Sequence, residues 1–181
     1  MRALQKQKDL GLVLKAMAFA ARKHRDQRRK DAEASPYINH PIALADVLWH
    51  EGDVRDPVVI AAALLHDTIE DTRTTATELR RVFGVKVAGI VVEVTDDKRL
   101  SKERRKELQI EHAARLSEAA KLVKLADKIC NLRDILVSPP KDWSVERKRE
   151  YFEWAKKVID RVRGTNPKLE RRFDQSYRKR P

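Results

Sequence analysis

The stretch "PVVIAAALLHDTIED", residues 57–71, is apolar up to Leu65 and then sets His66, Asp67, Glu70 and Asp71 into six positions. Ala62, Ala63, Leu64 and Leu65 belong in a core, so an imidazole and three carboxylates stand at the end of a buried segment. Pro57 suits the first turn of a helix, where a missing N–H costs nothing. On a helix of about 100° per residue, Glu70 lies about 40° from His66, Asp67 about 100° and Asp71 about 140°. Leu65 and Ile69 fall at about 260° and 300° on the same wheel, so the segment has one polar and one apolar edge. Two readings are open at this point. The acids end a helix and face water, or imidazole nitrogen and carboxylate oxygen together hold a metal ion.

Outward from this stretch the pattern is helical. Leu10, Leu12, Val13, Leu14, Met17, Ala18 and Ala21 recur at three- and four-residue steps and predict a helix over 4–24. Residues 26–37 are polar, contain Pro36 and read as a loop. Pro41 opens a second helix that runs to about Trp49 and stops near Gly52. Thr75 and Glu78 form a capping box before "ELRRVF", and Gly84 stands where a helix C-terminus wants it. "VKVAGIVVEVT" has the Val and Ile content of a strand, but it has helices on both sides and no partner strand, so it is read as helix. Helices over 101–114, 117–137, 144–163 and 166–177 complete the chain, with Pro139 and Pro140 ending the second of these. The expected architecture is all-α, one helical domain over residues 1–181.

Composition narrows the class. A chain of 181 residues is long enough to bury a core without staples. Only 5 glycines among many Lys, Arg, Glu, Leu and Ala favour helix over strand. The single cysteine, Cys130, leaves no internal disulfide and fits a reducing compartment. The N-terminus is amphipathic rather than signal-like, and no run reaches the ~20 apolar residues of a membrane span. A cytoplasmic protein with no membrane role is expected. The formal net charge of +12 attracts anions, either nucleic acid or a polyphosphorylated small molecule. Basic groups concentrate at "RKHRDQRRK" (22–30), "KERRK" (102–106) and the tail over 166–181. No aromatic strand pattern for stacking bases and no zinc-finger spacing accompanies them, so nucleic acid is the less favoured partner.

The His-Asp pair gains partners elsewhere. "YINHP" puts His40 before Pro41, which stiffens the chain at the entry of a helix. In "AKLVKLADKICNLRD", residues 120–134, Leu122, Leu125, Ile129 and Leu132 continue with Leu136 as one stripe. Asp127 lies roughly opposite that stripe, with Asn131 one turn later, at the margin of a largely buried helix. His24, His50 and His112 receive no catalytic role. His24 orders its loop, His50 sits near a helix C-terminus, and Cys130 belongs to the core flank.

The order His40, His66-Asp67, Asp127 resembles the metal-dependent phosphohydrolases of the HD superfamily. "HDTIEDT" is similar to the HDxxED form of RelA/SpoT-type hydrolase domains. Together with "RKHRDQRRKD…PYINHPIALA", "VTDDK", "AKLVKLADKICNLRD" and "EYFEWA" it resembles the small stand-alone members, the metazoan-type SpoT homologues, over roughly residues 15–165. The synthetase domain of the long members has no counterpart here.

The resemblance implies a pyrophosphohydrolase of guanosine 3′,5′-bis(diphosphate), ppGpp, with Mn²⁺ as cofactor. It implies His40, His66, Asp67 and Asp127 as metal ligands. Glu70 and Asp71 match the acid pair that orients the attacking water and takes its proton. Arg29 and Lys30 match a position that contacts the nucleotide, and Asn131 matches an asparagine one turn after the last ligand. Lys102, Arg147 and Tyr151 correspond to phosphate and base contacts. The donor set offers no thiolate, which argues against structural zinc. Two other readings remain: removal of a ribose monophosphate such as the 2′-phosphate of NADPH, and a basic nucleic-acid-binding module with a degenerate metal site. Oligomeric state is not readable from the sequence.

Overall fold

The computed structural model describes residues 2–181, with side chains from Leu4 onward; Met1, the first residue of the expected domain, lies outside it. The described residues form nine α-helices: α1 Arg2–Lys23, α2 Asn39–Asp46, α3 Pro57–Leu65, α4 Thr68–Asp71, α5 Ala76–Val94, α6 Lys102–Ala113, α7 Glu118–Val137, α8 Val145–Asp160 and α9 Pro167–Tyr177. Pairing of extended backbone among the described residues is limited to an isolated bridge between Arg28 and Pro36. The fold is all-α.

α3 is the hub. The Asp56 side chain accepts from Val58 N at 2.8 Å, Pro57 takes the first turn, and every residue from Val59 to Leu65 is buried. A helix apolar on all sides has no face to give to water, so it must be enclosed. Accordingly α1, α2, α5 and α7 all pack on it. α7 is nearly as enclosed, with Val123 through Ala126 and Lys128 through Cys130 buried. Two buried helices therefore face each other, and polar groups placed on them meet in a low-dielectric interior.

Side-chain caps mark most of the starts. Ser101, Ser117 and Ser144 accept from the backbone N–H three residues on, and Asn166 accepts from Lys168 and Leu169 N at 3.0 Å. Thr75 caps α5 by accepting from Glu78 N at 3.1 Å. The Glu78 carboxylate takes the Lys23 ammonium at 2.9 and 3.1 Å, an ion pair that ties α5 to α1. Gly84 ends the first part of α5 at φ 85°, a left-handed conformation that favours glycine, and "VKVAGIVVEV" then continues as helix.

The helix expected over 4–24 is α1; of the apolar residues that marked it Leu10, Leu14 and Ala18 are exposed, and Ala16, Phe19 and Ala20 form its inner line, with the buried His24 just past its end. Several apolar stripes were compatible with its sequence, and the partner helix chose among them. Two expectations are corrected. The second helix does not run evenly to Trp49. After Asp46 it widens into a π-helical turn, Val47–Glu51, closed by Gly52 N donating to Val47 O at 2.9 Å. α9 comes so close there that a Cβ on Gly52 would lie 2.9 Å from the Leu169 side chain. Finally, "PVVIAAALLHDTIED" is not one helix. α3 stops at Leu65, Asp67 takes φ −93°, ψ −2°, and a single new turn, α4, begins at Thr68. The wheel angles from His66 therefore do not describe the acids. Side chains cause the stop: Thr68 Oγ1 donates to Leu65 O at 2.7 Å, and His66 Nδ1 lies 2.8 Å from Ala63 O. Those carbonyls find partners without a continuing helix.

Candidate metal centre and substrate cleft

His40, His66 and Asp67 each present a ligand atom within 4.8 Å of the others, the one such His/Cys/Asp/Glu group among the described residues. His40 comes from the start of α2, and His66-Asp67 from the break after α3. The two imidazole centroids are 5.4 Å apart, and His66 Nε2 is 2.9 Å from Asp67 Oδ2. α7 brings Asp127, whose Oδ1 lies 3.3 Å from His40 Nε2. Asn131 Nδ2 donates to that same Asp127 oxygen at 2.6 Å, and Lys128 Nζ lies 2.9 Å from the other.

The orientation of His66 follows from its backbone contact. With Nδ1–H donating to the Ala63 carbonyl, the buried Nε2 is left facing Asp67 Oδ2 at 2.9 Å and has no other partner. A ring nitrogen and a carboxylate oxygen at that distance need a positive centre, a proton or a metal ion, and two imidazoles with two carboxylates fit a divalent cation. The electrostatics agree. Burial disfavours a charged imidazole, yet Asp67 and Asp127 outweigh it and push His66 up to about 9. Burial likewise opposes ionisation of Asp127, but Lys128, His40 and His66 hold its carboxyl well below the usual carboxylate range. The site is a place where positive charge is stabilised.

Glu70 and Asp71 differ more than their adjacency suggests. Burial raises the Glu70 carboxyl to about 7, and the charges of Asp96 and Asp67 add to this. Its contacts are weak: Asp96 N donates to Oε2 at 3.2 Å, and Arg105 stands 3.6 Å from Oε1. Asp71 is held on both sides, by the Lys98 ammonium on Oδ1 and the Tyr37 hydroxyl at 3.1 Å from Oδ2. The Asp96-Asp97-Lys98 part of "VTDDK" thus serves the acid pair.

These groups line a cavity of about 180 Å³, which also receives Arg29, Lys124 and Asn131. A cleft of about 660 Å³ continues from it past Arg29, Lys30, Asn131, Asp134, Trp143 and Tyr151. A third, of about 620 Å³ between α6 and α8, adds Lys102, Lys106 and Arg147 and shares Lys30, Trp143 and Tyr151 with the second. All six expected substrate contacts therefore fall along one continuous depression. Arg29 is ion-paired with Asp134, and its guanidinium lies 5.8 Å from the Tyr37 ring centroid. Tyr151 packs between Trp143 and Trp154 at 5.6 and 5.2 Å, and the Arg147 guanidinium lies 4.7 Å from the Trp143 ring.

Several residues escaped the sequence reading. Tyr37 touches both Asp67 and Asp71, Lys128 pairs with Asp127, and Asp134 holds Arg29. Lys124 is buried with only the Val94 carbonyl at 3.3 Å, and burial followed by the Lys128 charge lowers its pKa. The position of Tyr37 three residues before His40 was the available signal. For Asp134, lying two turns beyond Asp127 on α7 was the hint. His24 stacks on Tyr37 and contacts Gln27, whereas His50 and His112 are exposed and away from this cavity.

A helical fold with His, His-Asp and Asp converging on one buried centre defines the metal-binding HD class, and the chain belongs to the HD domain family, whose model matches residues 16–153. Within that class it is 54% identical over 169 residues to the Xenopus tropicalis guanosine-3′,5′-bis(diphosphate) 3′-pyrophosphohydrolase MESH1, covering 93% of this chain and 94% of the relative. It is equally 54% identical over 168 residues to the Homo sapiens protein of the same name, with 93% and 94% covered. Among solved structures, a metazoan ortholog of SpoT that hydrolyzes ppGpp superposes with a TM-score of 0.91 at 50% identity, over 93% of this chain and 95% of that one.

Proposed function

We propose that this chain is a single-domain, metal-dependent 3′-pyrophosphohydrolase that converts ppGpp to GDP and pyrophosphate. The observation that carries the reading is the convergence of His40, His66, Asp67 and Asp127 beside Glu70, a carboxyl raised to about 7. The names of the relatives support the substrate.

His40, His66, Asp67 and Asp127 would hold the metal, and the mixed nitrogen and oxygen donors favour Mn²⁺ over Mg²⁺, which prefers oxygen and keeps its waters. When bound, the metal supplies a Lewis acid that polarises the phosphoryl group and lowers the pKa of water. The remaining work falls to the protein. Glu70 accepts the proton of the attacking water, and its raised pKa keeps it an effective acceptor near neutrality. The water oxygen bonds to the phosphorus attached to the ribose 3′-oxygen, the P–O3′ bond breaks, the 3′-oxygen takes up a proton equivalent to the one Glu70 accepted, and GDP and pyrophosphate are released. Arg29, Lys30, Lys102 and Arg147 offset the charge of the substrate along the cleft, while Tyr151 and Trp143 offer faces for the base. Asn131 keeps Asp127 oriented.

No helix among the described residues is long and apolar enough to cross a membrane. The single cysteine, buried in α7, is compatible with a cytoplasmic setting.

The test is product analysis with ppGpp and Mn²⁺. GDP and pyrophosphate should appear in equal amounts, with orthophosphate only after a pyrophosphatase is added. Orthophosphate as the direct product, or faster turnover of NADPH than of ppGpp, would replace this reading with a monophosphatase in the same pocket.

A further inference from the structure

The Tyr37 ring is fixed on several sides. Its backbone N donates to Gln27 O at 3.1 Å, and its own carbonyl accepts from His40 N at 3.0 Å. His24 stacks on the ring at 4.9 Å with an interplanar angle of 28°. His24 Nδ1 in turn lies 2.6 Å from Gln27 Oε1, and Gln27 Nε2 donates to the Asp71 carbonyl. The hydroxyl ends 2.5 Å from Asp67 Oδ2 and 3.1 Å from Asp71 Oδ2. Loop 24–37 therefore holds α4 at both ends, through Tyr37 on the Asp67 carboxylate at the break after α3 and through Gln27 on the Asp71 carbonyl at the last residue of α4.

We propose that Tyr37 is a positioning residue that sets the direction of the Asp67 carboxylate and holds Asp71 off it, dividing the acid pair into a proton acceptor, Glu70, and a structural acid, Asp71. The inference rests on Asp67 being a metal ligand. A phenol has one proton to donate, and the shorter contact assigns it to Asp67. Asp71 then has Lys98 on Oδ1, while its Oδ2 stands 3.1 Å from the hydroxyl oxygen and receives no proton from it. Glu70 is held at longer range, by Asp96 N at 3.2 Å and Arg105 at 3.6 Å, and faces the same cavity. Two carboxylates this close need a group between them or they repel, and one rigid hydroxyl orients the first while limiting the approach of the second. Outer partners of metal ligands that fix orientation in this way are worth ~10–100-fold in metal affinity.

The experiment measures Mn²⁺ binding to the metal-free protein from the loss of the free-ion EPR signal. Wild type, Tyr37→Phe, His24→Leu and His66→Ala are compared. Tyr37→Phe keeps the ring and its stack, so it should fold, and it should bind Mn²⁺ about tenfold more weakly. At saturating Mn²⁺ its KM for ppGpp should match wild type while kcat falls. His24→Leu removes the stack but not the hydroxyl, and should weaken Mn²⁺ in the same direction by a smaller factor. Tyr37→Phe within twofold of wild type, with His66→Ala unable to bind, would overturn the role of Tyr37 and leave the metal site standing. His66→Ala binding Mn²⁺ like wild type would overturn the metal reading and this inference together.

Discussion

The floor and the rim of the depression are built in opposite ways. The floor groups His40, His66, Asp67 and Asp127 are buried or nearly so, come from α2, the α3–α4 break and α7, and touch one another or a fixed neighbour. On the rim, Lys30, Lys102 and Arg147 are exposed long side chains on a loop and on α6 and α8. Groups in a dry interior cost free energy unless paired, so the floor is rigid before any ligand arrives. Rim cations stay hydrated and must be ordered by the substrate. The floor is therefore expected to govern kcat and metal content, and the rim KM.

The largest effects should come from the floor. His66→Ala or Asp67→Ala should remove both metal, read by elemental analysis, and turnover; EDTA should do the same to wild type, with Mn²⁺ restoring more activity than Mg²⁺. A metal-stripped protein with full activity would erase the distinction between floor and rim. Glu70→Gln comes next. It should keep the metal and lose ~10²–10⁴ in kcat, the usual weight of a general base. Retained turnover would return Glu70 to the status of a buried polar residue.

The pH dependence sharpens the same point. Glu70 accepts a proton only when ionised, so kcat/KM should fall about tenfold per unit as pH drops below about 7, and Glu70→Gln should lose that limb. Stability should move the other way. A carboxyl with a folded pKa above its unfolded value favours the fold when protonated, and that advantage is lost as pH rises through about 7. Metal-free Glu70→Gln should thus melt above wild type at pH 8, and a lower Tm would contradict the raised pKa.

Smaller effects belong to the rim. Arg29→Ala should lower kcat/KM, chiefly through KM, with metal content unchanged. Because Arg29 also holds Asp134, which lies 3.7 Å from His40 Nδ1, its effect should exceed that of Lys102→Ala or Arg147→Ala. Those two exposed changes should raise KM by a few fold, an effect that added salt should blunt. A kcat loss from either would place the rim in the chemistry.

Legibility in the sequence followed the same divide. Chemistry-bearing residue types in order along the chain pointed to one site, and helix starts were readable because Ser, Thr, Asn and Pro at the caps act locally. The inner face of α1 was not readable, because several apolar stripes fit its pattern and only contact with α3 selected one. Nor was the stop after Leu65, where Thr68 and His66 side chains complete the backbone bonding that the wheel had assigned to a continuing helix.

By itself the sequence determined the helical class and the enclosed helix ahead of His66, which depend on composition, on periodicity and on neighbours a few positions away. The set His40, His66, Asp67 and Asp127 came from the resemblance of the motif order to the HD superfamily. The tertiary structure alone decided that Glu70 is loosely held while Asp71 is clamped, that Tyr37 stands against Asp67, and that Asp134 holds Arg29. Each of those contacts joins residues 25 or more positions apart, and distance in the chain carries no record of which side chains packing will bring within reach.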